Sequence, residues 1–333
     1  MLKVLYAGSP EAAAKTLEIL LNRTIPGENS KFLNDEIKIV GVLTNPPAMQ
    51  GRHHDLIPTP VQVVAEKSGI PVFTPEHLDS ACREKILPLG ADILVCFAYG
   101  HIFGPKFLSM FKFGGINLHP SLLPKYRGCT PVPAAILNRD SKTGISIQKI
   151  VQEMDCGNLL VQKEIELDFT ETADFLLEKS AILGAREFAE LLNNIEKNQS
   201  IPEGVPQTGE VSYSELIKKE DGKIDWSKSA LAIDAKIRAY TPDPGTFTSD
   251  GKLNLKIIKA KPAENPVTAC ADGTACSKAV PGMVLAFDKK NGIYIACGEG
   301  QLIVTELQWQ GKKAMNYKDF MNGSRNFIGT VLQ

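Results

Sequence analysis

The 333-residue chain contains no apolar run of 18 residues or more, which excludes an ordinary membrane-spanning helix. Its seven cysteines form no C-x-x-C pair and its five histidines do not fall at zinc-ligand spacing, so neither a disulfide framework nor a metal site is expected. Cys270 and Cys276 flank a short loop, and thiols so spaced are ordinarily plain loop residues. A reducing, cytoplasmic setting is the expectation. Met1-Leu-Lys-Val-Leu-Tyr leads directly into an apolar strand, so no signal or transit sequence is expected. There is no G-x-G-x-x-G and no Walker sequence, since the first strand and helix are joined through the single Gly8 of Ala7-Gly8-Ser9-Pro10. Dinucleotide and ATP chemistry are therefore not indicated. Ser121 lacks a G-x-S-x-G elbow, which removes a serine hydrolase. Charge of one sign is also missing, the formal net charge being −1. Residues 207–333 nevertheless hold 17 basic and 14 acidic side chains, against 20 and 24 in residues 1–206. Such an asymmetry accompanies an anionic partner of the C-terminal part, or simple variation of surface charge.

What is present is ordinary for a globular protein, with 43% hydrophobic and 23% charged residues. At about 150 residues per domain the length suggests two domains. The first two hundred residues alternate strands and helices. Leu2–Ala7, Ile37–Leu43, Ile70–Phe73, Ile93–Phe97, Gly115–Leu118 and Gly144–Ile150 read as strands. Ser9-Pro10-Glu11 and Pro60 open helices, and Phe175, Leu176, Ile182 and Leu183 mark a longer one from about residue 172 to 196. The runs at Val4 and Ile93 are apolar throughout, as in strands covered on both faces. This alternation predicts an α/β, Rossmann-like, doubly wound and mainly parallel sheet over residues 1–192. Residues 193–214, rich in Asn, Gln, Gly and Pro, read as a linker. Residues 215–333 hold one helix, Ser229–Tyr240, and five short strands between about residue 245 and residue 308, with hairpin signals at Asp250-Gly251 and Asn291-Gly292. That pattern predicts a smaller OB-like β-barrel domain, a common oligonucleotide-binding scaffold, or a β-domain that only packs.

In an open α/β sheet the ligand lies beyond the carboxyl ends of the strands. Two such ends carry polar chemistry. In Asn117-Leu-His119 the side chains at i and i+2 share one side of an extended chain. Asp155 follows the strand Gly144–Ile150. An amide donor, an imidazole and a carboxylate together would suit acyl transfer. Each residue alone reads equally well as a structural or turn residue, and spacing does not bring residue 119 to residue 155.

The segment Asn117-Leu-His119-Pro-Ser-Leu-Leu-Pro-Lys-Tyr-Arg-Gly128, with Asp155 27 residues later, resembles the signature of the 10-formyltetrahydrofolate-dependent formyltransferases. Leu5-Tyr-Ala-Gly8-Ser-Pro10, Gly41-Val-Leu-Thr-Asn-Pro46, Pro58-Thr-Pro60-Val and Val95-Cys-Phe-Ala-Tyr-Gly100 extend the likeness. So do Lys223-Ile-Asp-Trp226, Ile237-Arg238-Ala-Tyr and Gly311-Lys312-Lys313-Ala-Met315 in the second half, which favour the branch whose acceptor is methionyl initiator tRNA. The resemblance implies direct transfer of a formyl group from N10 of the folate to an amine, with Asn117, His119 and Asp155 as the catalytic set and no metal. It implies folate contacts from Gly8, from Phe97, Ala98, Tyr99 and Gly100, from Ser121, Leu122, Leu123 and Pro124, and from Val151, Gln152, Glu153 and Met154. It further implies tRNA contacts from Arg52, with Arg238, Lys312 and Lys313 as basic residues of the second half. A monomer is the expectation, and without a long apolar run no membrane association is expected. Two departures stand out. His53-His54-Asp55 occupies the place where relatives commonly carry Gly-Lys-Lys, and Ala12 stands where they often have an aromatic residue. A formyltransferase acting on an amino-sugar nucleotide, a formyltetrahydrofolate hydrolase and a non-catalytic folate- or RNA-binding module remain alternatives.

Overall fold

The apolar runs at residues 2–8 and 93–97 lie side by side at the centre of a seven-stranded sheet, both almost wholly buried. The computed structural model describes residues 1–28, 30–50, 55–268, 279–324 and 326–333. Its first unit comprises Met1–Pro131, Lys142–Glu166 and Leu176–Glu215, and its second comprises Val132–Ser141, Leu167–Phe175 and Leu216–Gln333. In chain order the strands of the first unit are Leu2–Gly8 (β1), Ile37–Leu43 (β2), Ala48–Gln50 (β3), Asp55–Ile57 (β4), Val72–Phe73 (β5), Ile93–Phe97 (β6), Gly115–His119 (β7), Arg127–Gly128 (β8), Lys142–Lys149 (β9), Leu159–Glu166 (β10) and Tyr213–Ser214 (β11). The main sheet runs β10-β9-β7-β6-β1-β2-β5. From β7 to β5 every pairing is parallel, as the alternation of strands and helices predicts. Beyond β7 the sense reverses, since β9 is antiparallel to β7 and β10 to β9. Strand β10 is not legible in the sequence because it is an edge strand with Lys163, Glu164 and Glu166 in place of an apolar run.

The helices follow from their caps and spacing. Glu11–Asn22 (α1) buries Ala13, Leu17 and Leu20, three to four residues apart. Pro60–Lys67 (α2) starts where the Thr59 hydroxyl accepts from Gln62 N–H, with Pro60 in the first turn. Three shorter helices follow, Ser80–Ile86 (α3), Pro105–Leu108 (α4) and Pro131–Leu137 (α5). The long helix Ala173–Asn198 (α6) buries Leu176, Ala181, Ala185, Phe188, Leu192 and Ile195 along one stripe. It lies close over β7. A Cβ on Gly184 would stand 2.3 Å from Leu118 Cδ2, so glycine there lets α6 approach the strand that carries Asn117 and His119.

The second unit has the helix Ala230–Ala239 (α7), capped by the Ser229 hydroxyl. Its strands are Thr246–Ser249 (β12), Asn254–Pro262 (β13), Val284–Asp288 (β14), Gly292–Ala296 (β15), Gln301–Trp309 (β16) and Met315–Asn316 (β17), followed by helix Tyr317–Gly323 (α8). They form a separate antiparallel sheet, ordered β12-β13-β16-β15-β14 with β17 on β16, in agreement with the all-β pattern read after residue 245. Trp226, Ile233, Ile237, Leu255, Ile257, Ile295, Leu307 and Phe320 close its core. No helix among the described residues is long and apolar enough to cross a membrane. Phe188 is fully buried in α6, and Phe188→Ala is expected to cost about 3–5 kcal/mol of stability. Urea unfolding of the two proteins measures this, and an unchanged midpoint would contradict the packing described.

Candidate active site

Strand β7 lies where the sheet changes sense, between parallel β6 and antiparallel β9. Side chains alternate along it, so Asn117 and His119 leave the same face while Ile116 and Leu118 are buried. Asn117 stands opposite Cys96 on one side and Gln148 on the other, and His119 stands opposite Ser146. The His119 ring is buried, and Nε2 lies 2.8 Å from the carbonyl oxygen of Tyr126. A carbonyl can only accept, so Nε2 carries the proton. The other nitrogen, Nδ1, faces Asp155 Oδ2 at 3.5 Å. The structure therefore brings residues 119 and 155 together, which spacing alone could not establish.

Asp155 reaches this position through a folded-back loop. Lys149 N–H donates to Asn158 O, closing the excursion after β9. Within the loop Asp155 takes a left-handed backbone, φ 54°, a conformation that costs a non-glycine residue about 1–2 kcal/mol. Gly157 passes so near the strand that a Cβ would stand 1.8 Å from Lys149 O. Polar groups hold the turn. Gly128 N–H donates to Asp155 Oδ2 at 2.9 Å, and Gln148 Nε2 donates to Oδ1 at 2.8 Å. Hydrogen bonds to a charged group contribute about 1.5–3 kcal/mol each, enough to offset the backbone strain. Gln148 Oε1 accepts from Gly157 N–H. Gln207 Nε2 donates to the carbonyls of Asp155 and Gly157, while its Oε1 accepts from Arg127 Nε and Nη2. Gln148 and Gln207 are not singled out by the sequence, and Arg127 stands there only as part of the segment ending at Gly128. The only sequence signal was a lone amide at Gln148 between the apolar Ile145, Ile147 and Ile150.

Burial pushes the His119 pKa below its ordinary value, opposed in part by Asp155 and by the hydrogen bond to Tyr126 O. Burial thus favours the neutral imidazole. The thiol nearest Asn117 is no nucleophile, since burial pushes Cys96 up to about 12. Burial also raises the Tyr99 phenol, whose hydroxyl has no hydrogen-bond partner among the described residues. Among the described residues no group of three or more His, Cys, Asp or Glu side chains could hold a metal.

The remaining residues named from the sequence divide by surroundings. Gly8 is set by packing, because a Cβ there would meet Phe97 O at 2.6 Å and Ala13 Cβ at 2.7 Å. Phe97 and Tyr99 point into the core, whereas Ala98 and Gly100 are exposed with positive φ and present backbone at the end of β6. Ser121 is buried and donates to Lys125 O. Leu123 and Pro124 are also buried, Leu123 N–H donating to the Ser146 hydroxyl, and Leu122 is half-buried. Val151, Gln152, Glu153 and Met154 form an exposed run next to Asp155. In the second unit Lys312 and Lys313 are exposed after β16. Arg238 is turned inward, donating to Asp234 at 2.8 Å and to Glu171 O at 3.0 Å, with only 11% of its side chain exposed. Little of that guanidinium is free for a phosphate. Arg52 lies outside the described residues, as do Gly51, His53, His54, Cys270 and Cys276.

The lowered His119 value has a consequence for stability. As pH falls, the unfolded chain protonates this residue first, at about 6.5, while the native ring resists. Stability present above about pH 6.5 is therefore lost as pH falls toward the lower native value, by at most about 1.4 kcal/mol per pH unit. Urea titrations between about pH 7.5 and 5 should show a steeper loss for the wild type than for His119→Asn. Parallel curves would contradict a buried neutral imidazole.

Comparison with known proteins identifies the family. The formyl transferase family matches residues 14–191, and the family described as formyl transferase, C-terminal domain, matches residues 216–325. A methionyl-tRNA formyltransferase of Treponema denticola is 40% identical over 336 aligned residues, covering 98% of each chain. That of Citrifermentans bemidjiense is 35% identical, covering 99% of this chain and 96% of its own. Among solved structures, an N-formyltransferase from Helicobacter canadensis, in complex with folinic acid and dTDP-3-aminofucose, has a TM-score of 0.62 at 22% identity, covering 91% of this chain and 99% of its own. Methionyl-tRNA formyltransferase from Clostridium thermocellum has a TM-score of 0.54 at 16% identity, over 80% of this chain and 95% of its own. Both structures share the fold. With relatives so similar along their whole length, and with the Asn117, His119 and Asp155 set assembled on β7 and its neighbouring loop, the chain belongs to the methionyl-tRNA formyltransferase family of enzymes.

Proposed function

We propose that this protein transfers the formyl group of 10-formyltetrahydrofolate to the α-amine of methionyl initiator tRNA, the modification that prepares it for translation initiation. The observation that carries the reading is the buried apposition of His119 and Asp155 beside Asn117, at 3.5 Å from Nδ1 to Oδ2. The free amine attacks the formyl carbon, a new C–N bond forms, and the carbonyl oxygen gathers negative charge. Asn117 supplies an amide donor to that oxygen. His119 joins it by exchanging the Tyr126 carbonyl for the oxyanion as partner of its Nε2–H, one hydrogen bond replacing another. The C–N10 bond then breaks, and the proton lost by the attacking nitrogen passes to N10, with Asp155 as relay beside the imidazole. Nothing in this route calls for a metal.

The exposed backbone of Ala98 and Gly100, the run Val151–Met154 and the edge near Gly8 are the surfaces assigned to the folate, with the mostly buried loop Ser121–Pro124 beside the folate tail. Residues 1–192 act as the formyltransferase domain, 193–214 as the linker and 215–333 as the tRNA-binding part, a reading supported by the two family matches at 14–191 and 216–325, although residues 193–198 end helix α6 and residues 132–141 and 167–175 group with the second unit. The exposed Lys312 and Lys313 serve the phosphate backbone, with Arg52 reaching the acceptor arm. Arg238 is left to hold its own helix. An initiator-tRNA acceptor supports a cytoplasmic setting for the protein.

Incubation with 10-formyltetrahydrofolate and either methionyl initiator tRNA or an amino-sugar nucleotide shows which amine gains the formyl group. Formylation of the sugar nucleotide alone, or release of formate without an acceptor, would overturn the reading. In the same assay His119→Ala and Asp155→Asn are each expected to lower turnover about 10²–10³-fold. Near-normal rates in both would remove the proposed chemistry.

A further inference from the structure

We infer that Gln207 is a positioning residue for Asp155, fixing from the linker the turn on which the catalytic carboxylate rides. The inference rests on the reading of Asp155 given above. The orientation of the Gln207 amide is decided by its partners. Arg127 offers two N–H donors, Nε at 3.1 Å and Nη2 at 2.7 Å, and only an oxygen can meet both. The NH₂ group must then face the other way, toward Asp155 O at 2.8 Å and Gly157 O at 2.9 Å. Its two hydrogens suit these two acceptors. Gln148 Oε1, at 3.2 Å, is the more distant third.

Those two carbonyls bracket the strained part of the loop. Asp155 is held at φ 54°, and Gly157 is pressed against Lys149 O. Gln148 grips the same turn by accepting from Gly157 N–H and donating to the Asp155 carboxylate. Gln207 contacts backbone alone at Asp155, so its influence on the carboxylate runs through the conformation of the turn. A shift of about 1 Å at a reacting group can cost about 10²-fold in rate. The linker does not depend on Gln207 for its attachment. Val205 pairs with Leu159 on one side of it, and Tyr213 and Ser214 pair with β8 on the other. Replacing Gln207 should therefore leave the chain folded and the linker docked while loosening the turn.

The test compares intact wild type with Gln207→Met, which removes both polar ends, and Gln207→Glu, which keeps an acceptor for Arg127 and removes the donors. With 10-formyltetrahydrofolate and methionyl initiator tRNA, both variants should lose about tenfold or more in kcat, with KM for both substrates within about twofold and a single cooperative unfolding transition retained. On an Asp155→Asn background Gln207→Met should cost almost nothing further, because the group it positions is already disabled. Amide hydrogen exchange at residues 155–157 should rise in both variants, a reading independent of turnover. Wild-type kcat and exchange in both variants would overturn the inference. So would a higher KM for tRNA at unchanged kcat, or losses that multiply in the double variant. A wild type that formylates no methionyl-tRNA would instead overturn the proposed function, and the exchange measurement would then decide the grip on the turn by itself.

Discussion

Taking a carboxylate out of water costs several kcal/mol unless N–H groups replace the lost hydration. At Asp155 the side chain is only 10% exposed and its neighbour His119 only 5%. Gly128 N–H and the Gln148 amide take the place of water on its two oxygens. Neither donor would be in reach without the left-handed backbone at Asp155, and that backbone needs Gly157 against Lys149 and the bonds to its carbonyls. The solvation of one carboxylate thus dictates a glycine, two glutamines, an arginine and the path of the linker.

The sheet supplies the complementary half. Parallel pairing from β5 to β7 buries the central strands on both faces and leaves their carboxyl ends as the free edge. At β7 the pairing changes sense, and the antiparallel neighbour β9 sets Gln148 directly opposite Asn117. A ligand site at such a switch is the usual outcome in open α/β sheets. Here the switch also delivers the amide that holds the acid. Burial of His119 on the same strand favours the neutral imidazole, against the pull of Asp155, and the Tyr126 carbonyl accepts from Nε2–H.

Much of the fold was legible because its signals are local. Apolar runs at β1 and β6, the Pro60 helix start and the periodicity of α6 each lie within a short window. The shared face of Asn117 and His119 follows from a period of two. Strand β10 was missed because its charged outer face conceals the alternation. The meeting of His119 and Asp155 is implied only by the family likeness, for it depends on a turn held by Gly128 and Gln207, far away in the chain. Gln148 and Gln207 were missed because an amide advertises nothing until its partners are known. Arg238 shows a local pairing competing with a functional reading. Asp234 and Arg238 stand four apart on one helix, a spacing that forms intrahelical ion pairs, and that local reading outranks the RNA contact suggested by charge alone.

The proposed chemistry turns on the state of one imidazole. Nitrogen-15 NMR of His119 in the resting protein at pH 7 measures its charge and tautomer directly. A neutral ring with the proton on Nε2, bonded to the Tyr126 carbonyl, is the expected result. An imidazolium, or a neutral ring protonated on Nδ1 toward Asp155, would contradict it.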